Sequence, residues 1–373
     1  MTKLKKILIV GGGIGGMATA IRFRQMGVAV DLIDIDPDWK VYGAGITITG
    51  PTLRAYKRLG LLEDIRTQGA ITSGARIFRF DGLHLHDLDE PALEEGLPAT
   101  GGIMRPVLHK IMQEHVNSAG TGVRLGLSVT TLVSDAVGVD VTFSDSNTAR
   151  YDLVVAADGI YSGVRTLAFP HCKRPEATGQ GCWRIATRRP PHLDRGEMYF
   201  GGDFPAGITP CGLDAVYLWM LTPHSDTRII PDDELRQTMR SHMLPFGGSA
   251  GWMRDQINDQ TWINYRPLEA AIQPGPWHQG RVVLLGDAAH ATTPHLASGA
   301  GMAVEDALVL AEELAQDRTV ESSLAAYTAR RFERCRDVVE TSVAVGALQL
   351  SGGSPEQIGG MIGGALHRLA GAY

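Results

Sequence analysis

The sequence predicts an α/β protein in which a parallel-sheet domain arrives in separate pieces, an antiparallel-sheet domain is inserted between them, and helices close the C-terminal end. Three observations carry this. Short apolar runs of buried-strand type recur far apart, at residues 6–10, 153–157 and 281–285. The first of them runs into a cluster of glycines and then a helical stretch. Between residues 175 and 270 the pattern changes to strand-like pieces with aromatics, broken by proline and glycine loops.

The elements follow in order. Residues 6–10 form a buried strand, the glycines of 11–16 a turn, and 17–26 a helix ended by Gly27; 28–33 supply a second strand, completing a βαβ unit. Residues 51–62 predict a helix stopped near Gly60, and 106–118 another with Pro106 in its first turn. Residues 123–155 alternate apolar and polar, as an antiparallel meander does, and lead into the second buried strand. A helix is expected from about 301 to 315, with Glu305 and Asp306 in its first turns. Leu324, Tyr327, Phe332, Cys335 and Val339 mark a further amphipathic helix. The glycine-rich stretch 351–373 receives no assignment. The domain division is 1–71, 99–174 and 273–320 for the parallel-sheet domain, 72–98 and 175–272 for the inserted one, and 321–373 for a C-terminal helical region.

Composition narrows the function. With 35 Lys+Arg against 41 Asp+Glu the net charge is −6, and the basic residues are scattered, which argues against a nucleic-acid partner. No apolar run reaches the ~20 residues of a membrane span. The four cysteines form no C-x-x-C pair, so reduced thiols in a cytoplasmic protein are expected, and no metal-ligand spacing appears. Glycine is the outlier, at 45 of 373 residues, as in chains whose backbone approaches a ligand closely.

The first motif is Gly11-x-Gly13-x-x-Gly16 between strand and helix. Gly11 permits the tight turn, Gly13 and Ile14 bring the backbone to a pyrophosphate, and Gly16 allows close helix–strand packing. The phosphates would then face the free N–H groups and positive end of the helix. Asp34, at the end of the second strand, is placed to accept from a ribose diol. The unit is therefore Rossmann-like and dinucleotide-binding, without separating FAD from NAD. Ala157-Asp158-Gly159 and Gly286-Asp287 each close a later buried strand, where an acid faces the ligand crevice of a parallel sheet. Pro294 follows, then Gly299-Ala300-Gly301-Met302 opening a helix. The N–H groups of that start would stabilise negative charge on a reduced ring.

Together with Gly43-Ala44-Gly45-Ile46 and Arg105, these residues resemble the class A flavoprotein aromatic hydroxylases, the family of p-hydroxybenzoate, salicylate and 6-hydroxynicotinate monooxygenases, over nearly the whole chain. The resemblance implies a p-hydroxybenzoate hydroxylase-like fold: a Rossmann-like FAD-binding domain with an inserted antiparallel-sheet substrate domain and C-terminal helices. It implies FAD with Asp34 on the adenosine ribose, Val129 on the adenine by backbone, Gly45 in the second glycine motif, Arg105 by the pyrophosphate, Asp158 in the motif tied to both FAD and NAD(P)H, and Asp287 on the ribityl chain. It further implies that NADH or NADPH reduces the flavin transiently, that O2 adds at C4a, and that the hydroperoxide hydroxylates a small aromatic or heteroaromatic ring. Two departures stand out: Asp34-Ile35 replaces the family's usual Glu plus a basic residue, and Met302 stands where a polar side chain is frequent.

For the chemistry on the substrate, the expected residues are His295, after Pro294, as a neutral imidazole able to accept a proton, and Tyr217. Tyr217 and Trp219 alternate on one strand and share a face, which is either a pocket wall or the inserted domain's own core. Arg184 reads as an exposed arginine beside a strand, His290 as structural, and His224, His242, His84 and His86 as solvated. Thr47 stands where 6-hydroxynicotinate-type enzymes have a histidine. A flavin reductase or oxidase of the same fold, and a non-catalytic FAD-binding protein, remain the alternatives; a halogenase lacks its W-x-W-x-I-P signature. The expected state is monomer or homodimer.

Overall fold

The computed structural model describes residues 4–41, 43–224 and 230–373. Its centre is a six-stranded sheet ordered His278–Gln279, Val282–Leu284, Leu153–Ala156, Lys6–Val10, Ala29–Asp34, Gly122–Leu125. The last five strands are mutually parallel. All five therefore end on one edge, and that edge collects the glycine turn, Asp34, the start of the segment holding Val129, Asp158 and Asp287. Strands buried on both faces need apolar residues throughout, which is why Ile7, Leu8, Ile9 and Leu153 to Val155 run without alternation.

A three-stranded antiparallel meander (Val129–Ser134, Val139–Phe143, Thr148–Tyr151) covers one side. A second three-stranded sheet pairs Thr100–Met104 with Gly45–Thr49 and Ala70–Thr72. The largest sheet has seven strands, ordered Ile263–Ile272, Glu176–Arg188, Ala215–Pro223, Ala206–Pro210, Gly196–Phe200, Gly74–Arg79, His84–Asp89. It is antiparallel except where Gly196–Phe200 meets Gly74–Arg79 in parallel, the junction of two segments more than a hundred residues apart in sequence.

The two faces of this seven-stranded sheet are unlike. Trp183, Ile185, Leu218, Met220 and Tyr199 point one way and pack with residues of helices Asp232–Met243 and Gly248–Asp255 into the domain's own core. The alternate residues, Cys182, Tyr217 and Leu221 among them, belong to separate small clusters on the opposite face. His242 lies within the first of those helices, edge-on to Trp183 and Phe204, and is half-buried rather than solvated. His224 bonds the Tyr265 hydroxyl at 2.8 Å, whereas His84 and His86 are exposed as expected.

Glycines fix how closely the helices pack. A side chain at Gly301, in the helix Gly299–Leu314, would overlap Thr52 of the helix Gly50–Leu59, and one at Gly16 would overlap the Gly11 carbonyl. The C-terminal region departs from expectation. One helix runs unbroken for 31 residues, Val320–Leu350, and the unassigned tail forms another, Pro355–Ala370. Ser354 and Gln357 start the latter as a reciprocal capping box with Pro355 in the first turn, a signal present in the sequence and outweighed there by the four glycines that follow. Among the described residues no helix is long and apolar enough to cross a membrane.

A buried ionic cluster joins these helices to the sheet. Asp306 accepts from Arg331 Nε at 2.7 Å, from His290 Nε2 at 2.6 Å and from the Gly286 N–H at 3.0 Å. Glu305 accepts from Arg331 at 2.7 Å and from Arg334 at 2.8 Å. Neighbouring cations hold the Asp306 carboxyl far below the usual range against the effect of burial, while His290 is held well above its ordinary pKa. His290, Asp306 and Cys335 bring possible ligand atoms within 4.8 Å of one another, but the Arg331 guanidinium already supplies the cation there. Removing one charge from such a cluster strands the others out of water. Asp306→Asn is expected to lower stability by about 3–5 kcal/mol in urea unfolding; a change inside the roughly 0.5 kcal/mol scatter of surface substitutions would show that the cluster does not stabilise.

Candidate active site

The glycine turn separates structural from ligand-serving glycines. Gly11 adopts φ +105° and packs on the Ala157 carbonyl, and Gly16 packs on Gly11; the fold itself requires both. Gly13 is different. Its φ is −75°, which any residue adopts, and a Cβ there would meet nothing within 4 Å. The space in front of Gly13, at the N-terminus of the helix Ile14–Gln25, is therefore a cradle that the protein leaves to a bound group, and a pyrophosphate fits the donors of that helix start.

Asp34 reaches this turn from the neighbouring strand. Its Oδ2 accepts the Gly12 N–H at 2.6 Å and its Oδ1 the Asp36 N–H at 2.8 Å; each oxygen keeps a lone pair for a hydroxyl donor. Trp39, which the sequence did not single out, braces the turn from behind: its indole N–H donates to the Gly12 carbonyl at 2.9 Å, and its ring meets His109 edge-on. The Leu127 N–H donates to the Asp34 carbonyl at 2.9 Å, bringing Val129 beside the strand end.

Asp158 supports the start of the helix Gly163–Ala168, whose N-cap is Ser162. It accepts from the Ser162 hydroxyl at 2.5 Å and the Val164 N–H at 3.0 Å; burial pushes its pKa up, and these donors pull it back. Arg165 donates to the Ala288 carbonyl at 2.8 Å, locking the second motif to the third. Asp287 is exposed at the strand end with no hydrogen bond to a described residue; the dense protein surroundings raise its pKa, opposed by His290 and Arg105. Pro294 opens the turn Pro294–Leu296. In the helix that follows, Gly299, Ala300 and Gly301 occupy the first turn, where N–H groups lack intrahelical partners. The Met302 N–H donates to the Ser298 carbonyl at 2.9 Å and its side chain is buried in the core.

Across the crevice stands the outward face of the seven-stranded sheet, which answers the question about Tyr217 and Trp219: they face away from the inserted domain's core. A side chain at Gly45 would overlap Cys211 and come 2.6 Å from Tyr217 Cβ, so this glycine lets the strand Gly45–Thr49 lie against the tyrosine. Thr47 bonds Thr209 at 2.9 Å, joining the two sheets directly. A side chain at Gly207 would run into the Trp219 indole, which lies flat over that strand. Arg105, first residue of the helix Arg105–Ser118, runs along Gly43, whose added Cβ would be 3.2 Å from Arg105 Cδ. Arg184 is also corrected: it lies within the strand Glu176–Arg188, half-buried, opposite Trp219. Burial pushes the Tyr217 phenol up to about 12, with Arg184 and Arg105 opposing.

His295 is not a free base. Its Nδ1 bonds Thr293 Oγ1 at 2.8 Å and its Nε2 bonds Gln349 Oε1 at 3.1 Å, and Gln180 donates to the same Gln349 oxygen at 3.0 Å. Burial pushes its pKa down to about 4, so the ring is neutral at pH 7 and a weak acceptor. It ties the Pro294 turn to the long C-terminal helix and, through Gln349, to the sheet.

The sequence matches the family described as FAD binding domain over residues 5–342. YetM of Bacillus subtilis (strain 168), whose name is that of an FAD-dependent monooxygenase, is 33% identical over 95% of this chain and 97% of its own length. A 2-heptyl-3-hydroxy-4(1H)-quinolone synthase of Pseudomonas aeruginosa (strain UCBPP-PA14) is 30% identical over 82% of this chain and 79% of its own. Among solved structures, Klebsiella pneumoniae HpxO, complexed with FAD and uric acid, superposes with a TM-score of 0.86 at 24% identity, covering 98% of both chains. That likeness shows a shared fold.

Two outcomes test the site. Gly13→Ala is expected to leave apoprotein stability within about 1 kcal/mol, since no neighbour is met, while weakening FAD binding at least tenfold by fluorescence titration; equal FAD affinity would remove the cradle. Because the folded His295 ring resists protonation, stability is full above about pH 6.5 and declines as pH falls toward 4, by at most about 3 kcal/mol. His295→Gln should flatten that part of a stability–pH curve, and an unchanged slope would show that the ring is not enclosed.

Proposed function

The chain belongs to the FAD-binding-domain family of class A flavoprotein monooxygenases, and we propose that it hydroxylates a small aromatic or heteroaromatic ring at the expense of NADH or NADPH. The observation that carries this is the opposition of two surfaces. On one side lie Gly13, Asp287 and the helix start at Gly299, all at the carboxyl edge of the parallel sheet; on the other lies a stiff aromatic wall, Tyr217 and Trp219, held close by Gly45 and the Thr47–Thr209 bond.

In this reading Gly11, Gly13, Ile14 and Gly16 shape the pyrophosphate cradle with Arg105 nearby, Asp34 accepts from the adenosine ribose, and Val129 meets the adenine by its backbone. Asp287 takes ribityl hydroxyls, and the N–H groups of Gly299, Ala300 and Gly301 hold the negative charge of a reduced ring. Gly45 acts on the cofactor side indirectly, by setting the distance to the tyrosine. Asp158 keeps the loop beside the nicotinamide groove in shape. Bound FAD supplies hydride acceptance from NAD(P)H and activation of O2, chemistry that belongs to the cofactor.

The chain's own residues orient and dry the substrate. Tyr217, neutral at pH 7, donates a hydrogen bond to a ring oxygen, and Trp219 stacks against the ring. His295, Gln349 and Gln180 close one end of the wall, so that water is excluded. His295 positions the Pro294 turn.

Anaerobic stopped-flow reduction of the flavin by NADH and NADPH, with and without a panel of hydroxylated aromatic acids and amides, tests the reading. One compound is expected to accelerate reduction more than tenfold, and Tyr217→Phe to cut that aromatic-stimulated turnover about tenfold, the size of one lost hydrogen bond, with FAD content unchanged. Fast reduction that no aromatic alters would favour a reductase or oxidase.

A further inference from the structure

The buried and half-buried arginines of this protein are not alike. Arg165 donates to the carbonyls of Ala288 and Ile160, Arg189 to those of Leu193 and Gly212, and Arg331 to two carboxylates and a carbonyl. Each is satisfied by the fold. Arg184 donates to the neutral Tyr217 hydroxyl but has no ion pair and no carbonyl partner among the described residues, and it sits in the middle of a strand paired on both sides.

The register fixes where it points. Arg184 lies directly opposite Trp219, and Ala186 opposite Tyr217; directly opposed residues share a face. Since Trp183 and Ile185 are in the domain's core, Arg184 must project from the other face, diagonal to Tyr217 and beside Cys182. Its neighbours there are a phenol, an indole, a thiol and the second guanidinium, Arg105. Asp287, the acid that acts on Arg105, does not figure among the groups acting on Arg184. A half-buried planar cation without a counter-charge carries a desolvation cost that one neutral hydroxyl offsets only in part.

We propose that Arg184 receives a negatively charged oxygen of the substrate, so that the ring this enzyme takes is bound as an anion, with Tyr217 donating to the same group. This rests on the reading of that face as the substrate wall. The shared chemistry is an anionic oxygen on an aromatic ring, from a carboxylate or from an ionised ring hydroxyl. A guanidinium presents paired donors to either, in a form that lysine reproduces poorly.

The test uses the FAD-loaded full chain and two matched pairs of probes: 6-hydroxynicotinate against 6-hydroxynicotinamide for the carboxylate, and 4-nitrophenolate against 4-nitroanisole for the ionised hydroxyl. Binding is read from flavin absorbance and tryptophan fluorescence. At least one anion is expected to bind about 10–100-fold more tightly than its neutral partner, and the pair that shows the preference identifies the source. Arg184→Gln should abolish the preference and Arg184→Lys keep part of it, both with normal FAD content. Equal affinity within both pairs, absence of binding by all four, or an undiminished preference in Arg184→Gln would each overturn the proposal. The wild-type comparison decides even if Arg184→Gln does not fold. An anion preference without aromatic-stimulated flavin reduction would leave Arg184 standing and remove the monooxygenase reading instead.

Discussion

The buried carboxylate of Asp306 is the point on which the site's geometry hangs. It bonds the backbone at the end of one strand, the histidine of the turn that follows, and an arginine from the long C-terminal helix. Those three attachments fix the start of the turn that carries Asp287, and they do so from within the core. Such a carboxylate contributes little net stability against an apolar replacement, because desolvation offsets most of its attraction. What it contributes is direction: three donors from three elements are satisfied in one arrangement and in few others.

Glycine does the complementary work of distance. At Gly301 and Gly16 its missing side chain lets helices and strands close up, and at Gly45 and Gly207 it lets one sheet lie against the aromatic side chains of another. Glycine at these positions therefore serves two ends. Most of these positions serve protein–protein approach within the fold, and Gly13 alone of the first motif keeps space open for something else.

Much of the fold was legible because each motif combined a local pattern with a backbone necessity. The apolar runs at 6–10 and 153–157 match strands buried on both faces, and the positive φ of Gly11 favours glycine. The substrate side was less legible, for a physical reason. Whether Tyr217 faced a pocket or a core depends on which face of its strand the helices Asp232–Met243 and Gly248–Asp255 cover, and alternation is silent on that. Arg184 shows the same limit: an arginine among strand residues reads as exposed until its neighbours are known. His295 shows another, since its partner Gln349 is 54 residues away. The helix Pro355–Ala370 was signalled by its cap, and glycine content masked it.

The unlike faces of the seven-stranded sheet have a consequence for how such an enzyme diversifies. Residues that keep the inserted domain folded alternate along each strand with residues on the opposite face, so the two sets touch different neighbours. A substitution at position 184, 186 or 219 alters what this face presents without entering the core at 183, 185 or 218, and without touching the parallel-sheet edge. The architecture thus uncouples inheritance of the reaction from inheritance of the substrate, and lineages sharing the first are free to part company over the second.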